Sequence, residues 1–372
     1  MTEHPTDAEA GGILTIDLGA IVANWRELAA RAAPATCAAV VKADAYGCGM
    51  EWVAPALIEA GCDTFFVAHL AEARRLRALS PRASIYVLNG LLPGTAAAYA
   101  SANLHPILGS LSELAEWRAF VSASGWQGGA ALHVDTGMNR LGMSFEEAEA
   151  VSGEPKAVRS KIVLIMSHLA CAETAEHPLN AKQLAAFRTV RNLFPGVPAS
   201  LANSSGIFLG PDALHDLVRP GVALYGGNPT PLHVNPMQAV VTLAGRIVQV
   251  REVPEGETVG YGATWTARRP SSVAIVSIGY ADGLPRATSG RDGKPGAEAI
   301  VNGHRCPLAG VVSMDLLAVD VTDVPEDVER GDLLTLLGAD ISIDELASHA
   351  GTISYEILTS LGRRYRRVYR GA

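Results

Sequence analysis

Short apolar segments recur at even intervals through the N-terminal part of this chain, and alanine-rich amphipathic segments separate them. Apolar runs of this length read as strands buried on both faces, whereas the segments between them have helical periodicity. Eight such strand-and-helix repeats predict a (β/α)8 barrel of the TIM type. A doubly wound open sheet is the alternative, but no G-x-G-x-x-G motif follows the first strand.

The pattern locates most of these elements along the chain. Ile13–Asp17 alternates as a strand ahead of the barrel, and its packing with either the barrel or a second domain is left open. The eight predicted barrel strands are Ala38–Val41, Thr64–Val67, Ser84–Leu88, Leu104–Leu108, Ala130–Val134, Ile162–Met166, Ala199–Ala202 and Leu217–Val218. The predicted helices are Leu18–Arg31, Trp52–Ala60, Leu70–Leu79, Ser112–Ser122, Phe145–Ser152 and Ala181–Leu193.

A second domain is predicted from Met237 onward, where β-branched residues alternate and helical runs become sparse. We assign residues 13–235 to the barrel and residues 236–372 to a mainly-β domain, with the proline-rich Asn228–Pro236 at the junction. Ser342 and Glu345 have the spacing of a capping box that opens a short helix. The basic tail Arg363–Arg370 is predicted to be a solvated helix face. The predicted strands of this domain are Val240–Arg251, Ser272–Ile278 and Val311–Val321.

Charge and composition exclude several classes of partner. The 372 residues carry a formal net charge of -8 and no blocks of Lys or Arg, which argues against nucleic acid and anionic membranes. Residues 1–12 lack the features of a signal peptide, and no later run approaches the ~18 apolar residues of a membrane span, so a cytoplasmic location is expected. The five cysteines are odd in number and lack CxxC spacing, so we expect reduced thiols and no metal site.

Lys42 is the first candidate for chemistry. It ends a short apolar strand and precedes a crowded turn of small residues, Tyr46 and two glycines. A lysine held at an apolar strand end loses hydration, which favours the neutral, nucleophilic amine. The alternative is that Lys42 extends its side chain to solvent, and these ten residues alone do not decide between the two.

Polar residues also follow the other predicted strands. In a barrel the carboxyl ends of the strands converge on one face, where active sites are built. Each residue alone could be a cap or turn residue, and it is their convergence that predicts a shared site. The residues are Lys42, Asn89, Asp135, His168, Asn203, Ser204 and Arg219.

Eight short motifs follow one another through both predicted domains: Val41–Gly47, Asp135–Gly142, Ser167–His168, Asn203–Ser204, Val218–Gly226, Val259–Thr264, Ile278–Gly283 and Ser313–Asp315. Each motif is weak alone, but eight in this order across both domains are specific. On these motifs the chain, from Ile13 to Tyr365, resembles the alanine racemase family, which has a barrel and a β domain and depends on pyridoxal 5'-phosphate.

The resemblance implies that Lys42 holds the cofactor as an aldimine and that a second acid–base group, Tyr261, acts on the opposite face of the α-carbon. Arg219 would donate to the pyridine nitrogen and leave the ring largely neutral, with His168 orienting it. It further implies phosphate contacts from Tyr46, Ser204, Gly221, Val222 and Tyr355, substrate-carboxylate contacts from Arg140 and Met314, and an entrance formed by Tyr280, Glu173 and Arg286.

The resemblance also implies an L-alanine/D-alanine racemase that supplies D-alanine for peptidoglycan, active as a homodimer in which Tyr261, Tyr280 and Met314 enter the partner's barrel. A racemase of serine or another amino acid and a barrel-type amino-acid decarboxylase are the alternatives. A barrel-only cofactor-binding protein is disfavoured by the chain that follows Met237.

Four positions depart from the family pattern. His133 stands where many members carry a carbamylated lysine, so Arg140 is expected to be positioned by His133, an anion or water. Glu173 replaces a usual aspartate and Val311 a usual arginine near the entrance, and Cys48 replaces a usual histidine.

Overall fold

The computed structural model describes residues 5–154 and 161–371. The chain begins with strand β1 (Gly12–Asp17) and helix α1 (Leu18–Ala32), and Asp17 Oδ1 caps the helix by accepting the Ala20 N–H at 2.8 Å. No helix within the described ranges combines the length and apolar character needed to cross a bilayer.

The predicted barrel is confirmed as a curled parallel sheet. Seven strands pair in chain order and all run parallel. Most are buried along their whole length, which is why the sequence shows continuous apolar runs there. The seven strands are β3 (Ala39–Val40), β4 (Thr64–Val67), β5 (Ser84–Val87), β6 (His105–Leu108), β7 (Ala130–His133), β8 (Ile162–Met166) and β9 (Ala199–Ser200). Two further short strands, β2 (Thr36–Cys37) and β10 (Leu217–Val218), pair with each other.

Strand β10 closes the barrel between β9 and β2. It pairs in parallel with β2, and the Ala38 N–H donates to the Val218 carbonyl at 3.0 Å. On its other side the Arg219 N–H donates to the Ala202 carbonyl at 2.9 Å. The short eighth strand therefore places Arg219 at the same end of the barrel as the other strand-end residues.

Helices α2 to α7 connect these strands on the outside. Two of the predicted spans, Leu70–Leu79 and Phe145–Ser152, match the observed helices, and three others differ from them by a few residues at one or both ends. The short helix after β5 was not predicted. The helices are α2 (Met50–Glu59), α3 (Leu70–Leu79), α4 (Ala96–Ser101), α5 (Leu111–Ser124), α6 (Phe145–Ser152) and α7 (Pro178–Leu193).

The C-terminal part is mainly β. Its central strand, β11 (Val241–Val253), pairs antiparallel with three others, and two helices close the domain. The further elements are β12 (Thr258–Val259), β13 (Trp265–Thr266), β14 (Ser271–Val276), β15 (Glu298–Val301), β16 (His304–Pro307), β17 (Leu317–Asp320), β18 (Leu333–Leu337), α8 (Ile343–Ala350), α9 (Ser354–Ser360) and β19 (Arg366–Arg370).

Both chain ends join this sheet. Strand β1 pairs antiparallel with β11 and parallel with β19. The prediction of a helix face for Arg363–Arg370 is therefore wrong, because Arg366–Arg370 completes a strand beside β1. The predicted cap of α8 is present, since Ser342 Oγ accepts the Glu345 N–H at 3.1 Å. The Glu345 carboxylate, however, binds Arg305 on the adjacent hairpin instead of closing the box.

Candidate active site

Five charged or titratable side chains from the ends of four strands act on one another at the mouth of the barrel. Lys42 follows β3, His133 ends β7, His168 follows β8 and Arg219 follows β10, while Arg140 lies in the loop after β7. The pKa of His168 is lowered to about 3, by burial first and then by the charges of the other four groups. These groups therefore share one site.

Lys42 is half-buried and opens an unusual turn. The next four residues, Ala43 to Tyr46, have φ values of 53°, 56°, 55° and 53°, so this segment is a turn of left-handed helix. None of the four is glycine, and left-handed conformation costs L-residues roughly 1–2 kcal/mol each. Surrounding contacts must hold such a conformation, and strain of this kind concentrates at functional sites.

Two contacts fix the ends of the left-handed turn. The Glu72 carboxylate accepts the Ala43 N–H at 2.7 Å, beside Lys42. Arg367 of β19 donates to the Gly47 carbonyl at 2.6 Å. Gly47 itself has φ 78°, and a Cβ there would lie 2.3 Å from the Leu358 carbonyl oxygen, so only glycine fits. The C-terminal strand and α9 thus pack directly on the lysine turn.

The Lys42 ammonium is disfavoured at this position. Burial lowers the pKa of Lys42, the charge of Arg140 lowers it further, and the Glu72 carboxylate opposes both. The nucleophilic amine predicted for this strand end has its physical basis in these charges and in the loss of hydration.

Arg219 is buried and its guanidinium is surrounded by oxygen acceptors. Nη2 donates to the Ser167 carbonyl at 2.7 Å and lies 3.4 Å from His168 Nδ1, while Nη1 donates to Ser200 Oγ. The Arg219 Cζ lies 5.9 Å from the centroid of the Phe66 ring. Burial lowers the pKa of Arg219 to about 9, which leaves it charged at neutral pH. His168 stays neutral and can accept from it.

A second cluster lies beside the ends of β9 and β10. Ser204 Oγ accepts the N–H groups of Gly221 at 2.8 Å and Ala223 at 3.3 Å. Gly221 also faces the Tyr46 hydroxyl, and a Cβ at this position would lie 2.3 Å from Tyr46 Oη. Val222 begins the 3-10 turn Val222–Tyr225 and is buried. Hydroxyls and backbone N–H groups that converge in this way form an anion-binding concavity.

Aromatic rings hold this cluster in place. Tyr46 stacks on Tyr225 with ring centroids 4.7 Å apart, and the Tyr225 hydroxyl donates to the Val40 carbonyl at 3.0 Å. Tyr355 of α9 lies 6.1 Å from Tyr46, centroid to centroid. Burial, followed by the charge of Glu173, raises the pKa of Tyr355. Glu173, predicted near the entrance, is therefore close enough to act on Tyr355 through its charge.

The Arg140 loop is shaped by Asp135. Its carboxylate accepts the N–H groups of Gly137 and Met138 at 2.9 Å each and of Asn139 at 3.0 Å. Arg140 is exposed and lines a cavity of about 460 Å³ together with His69 and Asn89. This arrangement exposes Arg140 to a ligand that enters the cavity from solvent.

The remaining predicted residues lie on the β domain. Tyr261 occupies a 3-10 turn and is 73% exposed, Met314 is 54% exposed and Tyr280 is 42% exposed. Arg286 is also exposed. Tyr261 lines a cavity of the β domain together with Val259 and Ser313.

Sequence profiles assign both parts of the chain. Residues 16–229 match the alanine racemase N-terminal domain, and residues 240–369 match the alanine racemase C-terminal domain. The chain belongs to the alanine racemase family.

Individual family members are similar along their whole length. The alanine racemase of Methylobacterium nodulans is 56% identical over 360 residues, 96% of each chain. A catabolic alanine racemase of Agrobacterium fabrum is 48% identical over 363 residues, 97% of this chain and 92% of that one. The crystal structure of the Bartonella henselae alanine racemase, with covalently bound pyridoxal phosphate, has a TM-score of 0.91 at 44% identity and covers 97% of this chain and 100% of that chain.

The departures from the alanine racemase pattern fall at well-defined places. His133 is buried, and burial, followed by the charge of Arg219, lowers its pKa to about 4, so a neutral imidazole occupies the position. Cys48 is a buried thiol whose pKa is raised by burial to about 12, which makes it an inert packing residue. Val311 is buried and lines a cavity with Tyr261.

Three residues around the site were missed by the sequence analysis of this family member. Glu72 stands at the third position of α3, where a capping carboxylate is common, and that spacing was an available signal. Tyr225 lies inside a recognised motif but was given no role. Arg367 could not be found from sequence, because its contact with Gly47 joins residues 320 positions apart.

Proposed function

We propose that this protein is a pyridoxal 5'-phosphate-dependent alanine racemase that interconverts L-alanine and D-alanine, with Lys42 and Tyr261 as its two acid–base residues. The observation that carries the proposal is the partly desolvated Lys42, whose charge acts on His168, while His168 in turn lies 3.4 Å from the buried Arg219. Supply of D-alanine for peptidoglycan in the cytoplasm is the physiological role we assign.

The residues present fit the cofactor. The hydroxyl and backbone N–H donors suited to a phosphate come from Ser204, Gly221, Val222, Tyr46 and Tyr355. Because Gly221 has no Cβ, the Tyr46 hydroxyl can approach the backbone that also donates to Ser204 Oγ. When bound, pyridoxal phosphate withdraws electrons from the α-carbon of an attached amino acid and so acidifies its proton.

Arg219 sets the character of the site. A guanidinium donates a hydrogen bond to a ring nitrogen without transferring its proton, whereas an acidic side chain there would favour the protonated ring. We therefore assign Arg219 to the pyridine nitrogen and His168, which accepts from Arg219, to its orientation. This choice favours return of the proton to the α-carbon over transamination.

Two proton carriers are required because racemisation removes a proton from one face and returns it on the other. Lys42 is suited to the first face, since its pKa is lowered and its amine can accept a proton. We assign Tyr261 to the opposite face and Arg140 with Met314 to the substrate carboxylate. Tyr280, Glu173 and Arg286 are assigned to the entrance.

The active unit we propose is a homodimer with shared sites. Tyr261, Met314 and Tyr280 are large, partly apolar side chains that one chain leaves exposed on its β domain. The Tyr280 N–H donates to the Ser313 carbonyl, and Tyr261 lines a cavity with Ser313, the neighbour of Met314 in the chain. Exposed apolar side chains that lie together mark an interaction surface. In the proposed dimer, each chain contributes these residues to the barrel of its partner. Lys42 of one chain and Tyr261 of the other would then lie on opposite faces of the substrate.

The decisive experiment is an assay of single enantiomers. Purified protein with pyridoxal 5'-phosphate is incubated separately with L-alanine, D-alanine and the enantiomers of serine, and the products are resolved by chiral chromatography. We expect alanine to reach an equal mixture from either side. Unchanged alanine together with inversion of serine, or release of carbon dioxide, would replace the proposal with one of its alternatives.

A further inference from the structure

Two glutamates occupy equivalent positions in the barrel. Glu72 is the third residue of α3, which follows β4, and Glu113 is the third residue of α5, which follows β6. Each carboxylate also reaches back to the loop after the preceding strand. Glu72 Oε1 accepts the Ala43 N–H at 2.7 Å, and Glu113 Oε1 accepts the Leu91 N–H at 2.8 Å.

The two carboxylates cap their own helices alike. Glu72 Oε2 accepts the N–H groups of Ala68 at 2.8 Å and His69 at 3.0 Å. Glu113 Oε2 accepts the Gly109 N–H at 2.8 Å and the Ser110 hydroxyl at 3.1 Å. Loss of either carboxylate therefore removes a similar set of hydrogen bonds, and the two substitutions are expected to affect folding to a similar extent.

The loops that they hold are different. Ala43 is the first of the four left-handed residues and immediately follows Lys42. Other side-chain contacts lie further along the turn: Arg367 at the Gly47 carbonyl, Arg75 at the Asp44 carboxylate, and Asp44 itself at the Met50 N–H. Before the lysine, the Val41 N–H donates to the Phe66 carbonyl of the neighbouring strand. Glu72 is thus the side chain that holds the backbone immediately after the lysine.

We infer that Glu72 is a positioning residue for Lys42. The Glu72 carboxylate holds the left-handed turn against the start of α3 and thereby directs the lysine side chain. Its charge has a second effect at the same place, because it opposes the lowering of the Lys42 pKa by burial and by Arg140. The inference rests on the proposed role of Lys42, and the first test below is independent of that role.

The first test compares Glu72→Gln with the matched control Glu113→Gln by competitive amine labelling. The full-length protein, stripped of cofactor so that Lys42 is a free amine, is labelled with trinitrobenzenesulfonate between pH 6 and 11, and the modification of each lysine is read by peptide mass spectrometry. The exposed Lys182 and Lys294 serve as internal references. We expect the midpoint for Lys42 to fall by about half a pH unit or more in Glu72→Gln only. Equal midpoints in the two variants would overturn the electrostatic part of the inference.

The second test uses Glu72→Asp, which keeps the charge but is too short to reach both the helix start and the Ala43 N–H. Wild type, Glu72→Asp and Glu113→Asp are stripped of cofactor, and covalent capture of pyridoxal 5'-phosphate is followed by absorbance. We expect capture to slow roughly tenfold or more in Glu72→Asp only, with the affinity for pyridoxine 5'-phosphate, which lacks the aldehyde, nearly unchanged. Capture at the wild-type rate would overturn the positioning role.

The two tests separate the inference from the proposed function. If wild-type protein captures no pyridoxal 5'-phosphate, the proposed function fails, while the labelling comparison still reports the effect of Glu72 on Lys42. If wild type captures the cofactor and both glutamate positions respond alike, the inference fails alone.

Discussion

Arg219 Nη2 lies 3.4 Å from His168 Nδ1 at the mouth of the barrel. The pKa of His168 is lowered to about 3 by burial and by the Arg219 charge, so at neutral pH a charged donor faces a neutral acceptor. Four protein acceptors around one guanidinium fix its plane, because the planar fork cannot rotate without losing hydrogen bonds. The arginine that we assign to the cofactor is thus held rigidly before any ligand arrives.

Replacement of Arg219 by lysine tests this rigidity. An ammonium cannot reach Ser200 Oγ and the Ser167 carbonyl at the same time, so buried acceptors lose their donor. We expect Arg219→Lys to reduce the free energy of unfolding by about 2–4 kcal/mol, measured by urea denaturation. Arg77→Lys is the control, since Arg77 also donates to three carbonyls but is partly open to water. An equal, small effect of both substitutions would contradict the account.

His133 predicts a pH dependence of stability. Its folded pKa of about 4 lies below the ordinary value of about 6.5, so the unfolded chain binds the proton first as the pH falls. Stability therefore decreases between about pH 6.5 and pH 4. We expect His133→Gln to abolish about 2 kcal/mol of the loss between pH 7 and pH 5. Substitution of the exposed His233 by Gln should leave the acid-induced loss unchanged.

Substitutions at Gly221 and Tyr46 should have strongly non-additive effects on stability. A Cβ at position 221 would lie 2.3 Å from the Tyr46 hydroxyl, and Tyr46 is fixed by stacking on Tyr225. We expect Gly221→Ala to cost about 1–3 kcal/mol of stability and to weaken binding of pyridoxal 5'-phosphate. Tyr46→Phe removes the obstructing atom, so the double variant should recover part of the stability lost in Gly221→Ala.

If the stability changes of Gly221→Ala and Tyr46→Phe simply add in the double variant, a Cβ at position 221 and the Tyr46 hydroxyl do not compete for the same space. The control is Gly153→Ala. Gly153 has an ordinary right-handed conformation, and a Cβ there would lie no closer than 3.5 Å to its nearest neighbour, the Ala150 carbonyl oxygen, so this substitution should be nearly neutral.

The barrel was predictable because its strands are buried on both faces and read as separate apolar runs. The ends of those apolar runs also predicted that Lys42, His168 and Arg219 lie at one end of the barrel. The left-handed turn after Lys42 did not, because Ala43, Asp44 and Ala45 favour right-handed conformation locally and tertiary contacts override that preference.

The chain ends were hard to predict for a related reason. The basic residues of β19 look solvated in sequence, yet pairing with β1 across almost the whole chain makes them a strand. A shared site for Tyr261 and Lys42 is the hardest feature to predict from local sequence. Nothing in the residues around either position relates the two, and only the family resemblance suggested that they act together.

Tyr261→Phe tests the second proton carrier. The substitution keeps the ring and removes the hydroxyl, so exchange should stop on the face that we assign to Tyr261 and continue on the face that we assign to Lys42. We expect exchange of the α-proton with deuterated water to fall roughly 100-fold or more for one enantiomer of alanine, with smaller loss for the other. NMR of the α-proton measures both. Undiminished exchange from both enantiomers would remove Tyr261 from the mechanism.

The central claim is that Lys42 of one chain works with Tyr261 of another, and mixing two inactive variants tests it most directly. Lys42→Ala and Tyr261→Phe proteins are unfolded together, refolded at equal concentrations and assayed for racemisation. About half of the dimers would then contain one chain of each variant. In such a dimer one site carries both substitutions and the other carries neither, so we predict recovery of about a quarter of wild-type activity. Recovery of no activity from a mixture that sedimentation shows to contain refolded dimers would contradict the account.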